Sequence, residues 1–216
     1  MQTREIDVAT PDGAMSAYEL IPEGEGQRPA IVFLMDGLGY RTALKAMAER
    51  LAGHGYHVLL PDLYHRVGKH VHFEPAVMTQ PEKMGEMRKL IGNLTPDMLM
   101  SDVAACLDVL ASRANVDATR VGAVGYCMGG RNAFIAATRF PDRLRATASI
   151  HPGGIVTADP ASPHLLRARC KRACTSASRR TTSSSRRSRQ RRSRRRSPRW
   201  ASATRSSTTR HATAGP

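Results

Sequence analysis

The hydrophobic positions at the start of the chain first follow a period of two and then form short apolar runs. Residues 6–8 and 15–20 alternate between apolar and polar side chains on either side of Pro11-Asp12-Gly13. This pattern predicts two strands joined by a turn. Residues 30–35 and 56–60 are largely apolar, as in strands that are buried on both faces of a parallel sheet. The pattern therefore predicts a hairpin followed by two buried strands.

A helical period follows these runs. Apolar side chains recur at i, i+3, i+4 and i+7 within residues 41–52, which predicts an amphipathic helix. The same reasoning predicts a helix that begins at Pro96 and carries Cys106 on its apolar face, where a cysteine acts as core. Residues 128–138 predict a third helix built from small side chains. Residues 65–95 are rich in Gly, Pro, Met and charge, and predict an irregular excursion with one short helix.

Two further short apolar segments, residues 121–125 and 146–150, predict strands. Strands and helices then alternate along the first 150 residues. This order predicts an α/β fold with a mostly parallel sheet and helices on both faces.

The charge of the chain is divided unevenly. The net charge is +15, but residues 160–216 hold 17 of the 33 Lys and Arg and none of the 18 Asp and Glu. Residues 1–159 therefore carry 16 basic and 18 acidic groups. This part has the charge of an ordinary globular domain, so the basic composition alone does not indicate a nucleic-acid-binding fold.

The last fifty residues have a different composition. From residue 167 onward there is no Ile, Leu, Val, Phe or Met, and Trp200 is the only large apolar side chain. Such a segment cannot bury enough surface to offset its chain entropy. We therefore predict a folded core over residues 1–166 that lacks its last strands, and a disordered Arg/Ser-rich tail over residues 167–216. One alternative function is non-specific, salt-dependent binding of nucleic acid or another polyanion by this tail.

Compartment and cofactors follow from what the sequence contains. The N-terminus lacks the apolar segment of a signal peptide, and the longest apolar run is too short to cross a bilayer. We expect a cytoplasmic protein that does not bind membranes and whose four cysteines are reduced. His164, Cys170 and Cys174 form too sparse a set for a metal site, so we expect no metal and no cofactor.

The strongest chemical signal is Gly125-Tyr126-Cys127-Met128-Gly129, where a predicted strand passes into a predicted helix. A turn this sharp displays a nucleophile only if the residues two positions before and after it are nearly free of side chain, as Gly125 and Gly129 are. The N-terminal end of a helix also stabilises negative charge on a nearby sulfur. Cys127 is therefore the predicted nucleophile. The alternative is an inert cysteine in a glycine-rich turn.

A thiol that attacks a carbonyl needs two N–H donors for the oxyanion that forms. Met128, the residue after the predicted nucleophile, supplies the first donor. Gly37 follows the strand at residues 30–35 and is the predicted second donor, because glycine lets the backbone approach a substrate closely. Asp36 lies beside it, and is predicted either to face the thiol or to act as a loop carboxylate or helix cap.

Four segments together resemble the dienelactone hydrolase family of α/β-hydrolases over about residues 5–166. They are FLMDGLG (33–39), GYHVLLPDLYHR (55–66), GYCMGG (125–130) and ASIHPGG (148–154), in this order and spacing. The resemblance implies hydrolysis of small-molecule lactones and esters through an acyl-enzyme, without a metal. Glutamine amidotransferases also use a Gly-x-Cys-x-Gly turn, but they continue with His-Gln where this chain has Gly130-Arg131, and they remain an alternative.

The resemblance also implies roles for individual residues. Cys127 matches the family's nucleophile. Asp36 occupies the place of a glutamate that holds the resting thiol, and it is one methylene shorter. Arg66 corresponds by position to arginines that anchor the carboxylate of an anionic substrate, with a structural loop arginine as the alternative.

The family's later Asp and His have no counterpart in this chain. No acidic residue follows Asp159, His211 stands among Arg and Ser, and His164 lies too near the nucleophile in sequence. His151 fits packing at a strand end. Because a Cys nucleophile needs a base and an orienting acid, we predict little or no turnover for residues 1–216.

The composition of the tail is typical of GC-rich coding DNA read out of frame. A reading displaced by two nucleotides permits a strand followed by acidic residues over residues 171–185. The same reading permits His-Gly-Trp across residues 212–215, and the family resemblance leads us to expect such features here. We therefore hypothesise a frameshift near Leu166.

Overall fold

A computed structural model describes residues 1–158, 160, 162–170 and 173–177, all within Met1–Arg180, the first of two units into which the chain divides. The described strands are β1 (Gln2–Thr10), β2 (Gly13–Ile21), β3 (Arg28–Leu34), β4 (His57–Pro61), β5 (Val116–Tyr126), β6 (Ala146–Ile150) and β7 (Ala173–Ala177). The α-helices are α1 (Thr42–Gly53), α2 (Pro81–Asn93), α3 (Pro96–Ser112) and α4 (Met128–Arg139), and short 3₁₀ helices lie at Pro75–Thr79 and Pro163–Arg169.

The strands form one mixed sheet in the order β1-β2-β4-β3-β5-β6-β7. The antiparallel hairpin β1–β2 lies at one edge, β2 is antiparallel to β4, and every other pairing is parallel. Every residue of β4 is buried, which requires cover on both faces. Helix α1 packs on β2 and β4, and α3 and α4 pack on each other and on β3 and β5. This confirms the predicted α/β class with a mostly parallel sheet.

The hairpin and the major helices agree closely with the apolar periods. Gly13 has a φ of 116°, a left-handed conformation that the turn between β1 and β2 requires. The side chain of Thr95 accepts a hydrogen bond from the Met98 N–H and so caps the start of α3. Cys106, on the apolar face of α3, is fully buried, and burial raises the pKa of its thiol. Cys106 is therefore an inert core residue, as predicted.

Helix α2 corrects the prediction for residues 65–95. The sequence predicted an irregular excursion with one short helix, but thirteen residues form a regular helix. Met87 is its one buried residue, but Met84, Met87 and Ile91 recur at i, i+3 and i+7, an apolar stripe that the surrounding Gly, Pro and charged residues obscured. The side chain of Ile91 lies against Gly37, where an added Cβ would come within 2.8 Å of Ile91 Cδ1. The helix that the sequence missed therefore covers the loop after β3.

Strand β7 lies beyond the predicted end of the core at residue 166. It pairs in parallel with β6, from Ala146 opposite Ala173 to Ile150 opposite Ala177. Backbone hydrogen bonds to an exposed strand edge do not depend on side-chain hydrophobicity, which is why composition gave no sign of this strand. The described core therefore reaches Ala177. The remaining tail, for which disorder was predicted, lies outside the described residues.

A buried charge cluster links the hairpin to the rest of the sheet. Glu19 on β2 is fully buried and its carboxylate lies 3.0 Å from His57 Nε2 on β4. It also accepts hydrogen bonds of 2.7 Å from Arg113 Nε and from Arg4 Nε. Burial alone would raise the pKa of Glu19, but the hydrogen bonds from His57, Arg113 and Arg4 outweigh it and lower this pKa to about 2.

No helix in the described part of the chain combines the length and the hydrophobicity needed to cross a bilayer.

Candidate active site

The predicted nucleophile lies at a sharp corner between strand and helix. Strand β5 ends at Tyr126, helix α4 begins at Met128, and Cys127 between them has φ 52° and ψ −115°. A residue with a side chain seldom adopts a positive φ, and the strain is of the order of 1–3 kcal/mol. The side chain of Cys127 is exposed. The structure thus holds a solvent-accessible thiol in a strained turn, the geometry that the sequence motif predicted.

The two elbow glycines are sterically required at this corner. A Cβ added to Gly125 would collide with the backbone of Gly129. A Cβ added to Gly129 would collide with the carbonyl oxygens of Leu34 and Met35 at the end of β3. In both cases the obstacle is backbone, which cannot rotate away as a flexible side chain can. Helix α4 therefore reaches its close contact with β5 and β3 only because both residues lack side chains.

The two predicted oxyanion donors lie on neighbouring segments at the carboxyl ends of β3 and β5, Gly37 in the loop after β3 and Met128 at the start of α4. Strands β3 and β5 are parallel, with Leu34 opposite Gly125, so the segments that follow them emerge side by side. Gly37 and Met128 are both buried, and the hydrogen bonds among the described residues leave both N–H groups without an acceptor. Buried backbone N–H groups are rarely unpaired in folded proteins. Two of them beside an exposed thiol can stabilise an oxyanion.

Asp36 is bound to an arginine. Its two carboxylate oxygens accept hydrogen bonds of 2.6 and 2.8 Å from the guanidinium of Arg41, and one of them also accepts from the Leu38 N–H at 3.0 Å. Among the described side chains, no hydrogen bond joins Asp36 to Cys127. The sequence left Asp36 either facing the thiol or acting as a loop carboxylate or helix cap, and these contacts fit the loop carboxylate.

Arg66, the candidate substrate anchor, is occupied by structural partners. Its guanidinium donates two hydrogen bonds of 2.8 Å to the two oxygens of Asp102, which is fully buried on α3. It also donates to Asp12 at 2.8 Å and to the carbonyl of Met98. The hydrogen bonds to Asp102 raise the pKa of Arg66. These contacts fit the structural alternative, in which Arg66 ties the loop after β4 to α3.

Two of the three histidines considered as bases lie in the described residues. His151 is exposed directly after β6, and its ring lies 5.8 Å from that of Tyr126, measured between ring centroids. This is the strand-end packing expected from the sequence. His164 Nδ1 lies 2.8 Å from the hydroxyl of Ser162. His211 is outside the described residues, and within them no cluster of three His, Cys, Asp or Glu side chains could hold a metal ion.

The sequence analysis missed Tyr64. Its hydroxyl donates a hydrogen bond of 2.8 Å to the carbonyl of Gly37 and lies 3.9 Å from Met128 Sδ. It therefore touches both residues that present the predicted oxyanion donors. The residue lies within the Pro-Asp-Leu-Tyr segment that carried the family resemblance, but nothing in the local pattern indicates what its hydroxyl contacts.

A mostly parallel sheet flanked by helices, with a sharp turn between β5 and α4, defines an α/β-hydrolase fold. The chain belongs to the dienelactone hydrolase family, whose model matches residues 15–176.

Curated and solved relatives agree with this assignment. A carboxymethylenebutenolidase from Rhodococcus opacus is 29% identical over 144 residues, which cover 65% of this chain and 51% of that protein. The chain spans about half the length of the curated relatives it matches. The crystal structure of a dienelactone hydrolase from Anabaena variabilis matches with a TM-score of 0.56 and 21% identity, over 81% of this chain and 72% of that one. The dienelactone hydrolase-like promiscuous phosphotriesterase P91, from metagenomic libraries, matches with a TM-score of 0.63 and 22% identity, over 81% and 67%.

Proposed function

We propose that this protein is an ester or lactone hydrolase scaffold in which Cys127 is the nucleophile. The observation that carries the proposal is the combination of an exposed, strained thiol with two unpaired N–H groups, of Gly37 and Met128, at the carboxyl ends of β3 and β5. The family match and the carboxymethylenebutenolidase relatives support the same class of reaction. The substrate class is a small molecule with an ester or lactone carbonyl.

In the proposed reaction, the sulfur of Cys127 attacks the carbonyl carbon as a thiolate, and the carbonyl electrons move to the oxygen. The N–H groups of Gly37 and Met128 donate to that oxygen, and the positive end of the α4 dipole stabilises the same charge. The tetrahedral species then collapses, the carbon–oxygen bond to the leaving group breaks, and the released alkoxide takes a proton from water. The product is a thioester on Cys127, and a lactone substrate would remain attached as an opened chain.

Release of the acyl group requires a base to activate water. The sequence after Asp159 contains no acid to orient one, and His164 is hydrogen-bonded to Ser162. We therefore propose that residues 1–216 form the acyl-enzyme once and turn over little. An activated ester is then expected to acylate each chain once, with no further turnover.

The test is a burst experiment with p-nitrophenyl acetate. The full chain should release one equivalent of p-nitrophenolate and then stop, with acetyl found on Cys127 by peptide mass spectrometry. Cys127→Ser should lose the burst, and Cys106→Ala should keep it because the Cys106 thiol is buried and its pKa is raised. Sustained hydrolysis that disappears in Cys127→Ser would contradict the low turnover. Absence of acetyl on Cys127 would contradict the nucleophile.

We also propose that the C-terminal segment is an out-of-frame reading of an intact hydrolase gene. Three observations support this: the family match stops at residue 176, the match covers only about half the length of curated relatives, and β7 lies within the segment for which the shifted reading also gives a strand. The division into a hydrolase core and an Arg/Ser-rich tail is part of this proposal. Resequencing the gene tests it, and early stop codons in the displaced frame would refute it.

A further inference from the structure

Tyr64 is a fully buried side chain in the loop that follows β4. Its ring packs against Gly39, where an added Cβ would lie 3.2 Å from Tyr64 Cε2. Its hydroxyl donates to the Gly37 carbonyl at 2.8 Å and contacts Met128 Sδ at 3.9 Å. One buried hydroxyl thus joins the loop after β3 to the first residue of α4, the two segments that present the unpaired N–H groups.

The peptide group between Gly37 and Leu38 is held at both ends. Its carbonyl accepts from Tyr64, and its N–H donates to Asp36 Oδ1 at 3.0 Å. Asp36 is fixed in turn by the guanidinium of Arg41, which also donates to the Gly39 carbonyl at 3.0 Å. The neighbouring peptide group, which carries the Gly37 N–H, is held as well, because its carbonyl oxygen on Asp36 accepts a hydrogen bond of 3.1 Å from the Gly39 N–H. Glycine has more backbone freedom than any other residue, so the bonds on these two peptide groups together set the direction of the Gly37 N–H.

We propose that Tyr64 is a positioning residue, whose hydroxyl aligns the Gly37 N–H with the Met128 N–H for the oxyanion. This inference rests on the proposed function. Because Tyr64 is fully buried, it acts through the backbone of Gly37 and through Met128 without touching substrate. Small errors in the placement of such donors strongly lower the reaction rate, since a displacement of about 1 Å can reduce a rate by about a hundredfold.

The hydroxyl remains a donor throughout the working pH range. Burial, together with the nearby negative charges of Asp36 and Cys127, raises the pKa of Tyr64. The proton that bonds the Gly37 carbonyl is therefore present both before the thiol ionises and after. The hydrogen bond from Tyr64 to the Gly37 carbonyl therefore does not change as the sulfur gains charge.

The experiment compares two reactions of the same sulfur in the full chain. Acylation of Cys127 by p-nitrophenyl acetate passes through an oxyanion, whereas alkylation by iodoacetamide displaces iodide from a saturated carbon and forms none. Tyr64→Phe removes only the hydroxyl. We expect acylation to slow about tenfold, less than for outright loss of a donor, with alkylation unchanged within about twofold. Tyr56→Phe, at an exposed tyrosine, is the matched control and should leave both rates unchanged.

Each outcome has a distinct meaning. Selective loss of acylation in Tyr64→Phe supports the positioning role. Equal losses in both reactions would show general disruption of the turn at Cys127. Unchanged acylation would show that the hydrogen bond from the Tyr64 hydroxyl is unnecessary. Either result overturns the inference. Failure of the wild-type chain to acylate at Cys127 overturns the proposed function itself. Both rates are measured below the thermal unfolding transition of Tyr64→Phe, because an unfolded chain would still be alkylated at an accessible thiol while losing the oxyanion donors.

Discussion

The buried Glu19 cluster gives a stability prediction with a pH signature. Glu19→Gln keeps the shape of the side chain but removes the charge that binds His57, Arg113 and Arg4. A pKa lowered from 4.5 to about 2 corresponds to about 3 kcal/mol of unfolding free energy. Loss of one member of a buried ion pair typically has an effect of about 3–5 kcal/mol. We therefore expect Glu19→Gln to lower the unfolding free energy by about 3 kcal/mol at pH 7.

The sign of the pH dependence follows from the lowered pKa. The stabilisation is fully present above the unfolded value near 4.5 and is lost as the pH falls through about 2. The difference between wild type and Glu19→Gln should therefore narrow steadily between about pH 5 and pH 2. Urea unfolding followed by far-ultraviolet circular dichroism at several pH values measures it. Glu86→Gln, at an exposed position on α2, is the control and should change stability by less than about 0.5 kcal/mol.

Two results would refute this reasoning. Equal stability of Glu19→Gln and wild type at pH 7 would mean that the cluster contributes no net free energy. A difference that stays constant down to about pH 2 would mean that the loss comes from packing and not from the charge of Glu19.

Two further substitutions test the site and its support. Gly125→Ala should slow acylation of Cys127 about a hundredfold because its Cβ would collide with the Gly129 backbone; a burst at the wild-type rate would show that the corner tolerates a side chain. Arg66→Gln should lower the unfolding free energy by about 3 kcal/mol, because it leaves the buried carboxylate of Asp102 without its bidentate partner. Acylation by neutral and anionic esters should then change equally, and a selective loss with anionic esters would restore Arg66 as a substrate anchor.

The elements that could be predicted from sequence are those whose signal is local. The run at residues 30–35 indicates a strand because both of its faces are buried, and Gly125 and Gly129 indicate a sharp turn because close backbone contact excludes side chains. Helix α2 carried a local signal as well, in Met84, Met87 and Ile91, but the Gly, Pro and charged residues around them obscured it. Strand β7 gave no such signal, since pairing at a sheet edge depends on the backbone.

The pairings within the site could not be predicted in the same way. Arg66 and Asp102 lie far apart in sequence, as do Tyr64 and Gly37, and no periodic pattern connects them. Whether a loop arginine faces a substrate or a buried carboxylate depends on the tertiary arrangement. The chemistry of Arg66 fitted both a substrate anchor and a structural arginine, and only the structure shows that its partner is Asp102.

The backbone at Cys127 also bears on the history of the chain. A left-handed φ at a residue with a Cβ destabilises the native state, whereas glycine adopts it freely. A protein released from selection for chemistry would gain stability by replacing Cys127 with glycine. The proposed chemistry of Cys127 therefore accounts for a cysteine at a position where stability alone would favour glycine.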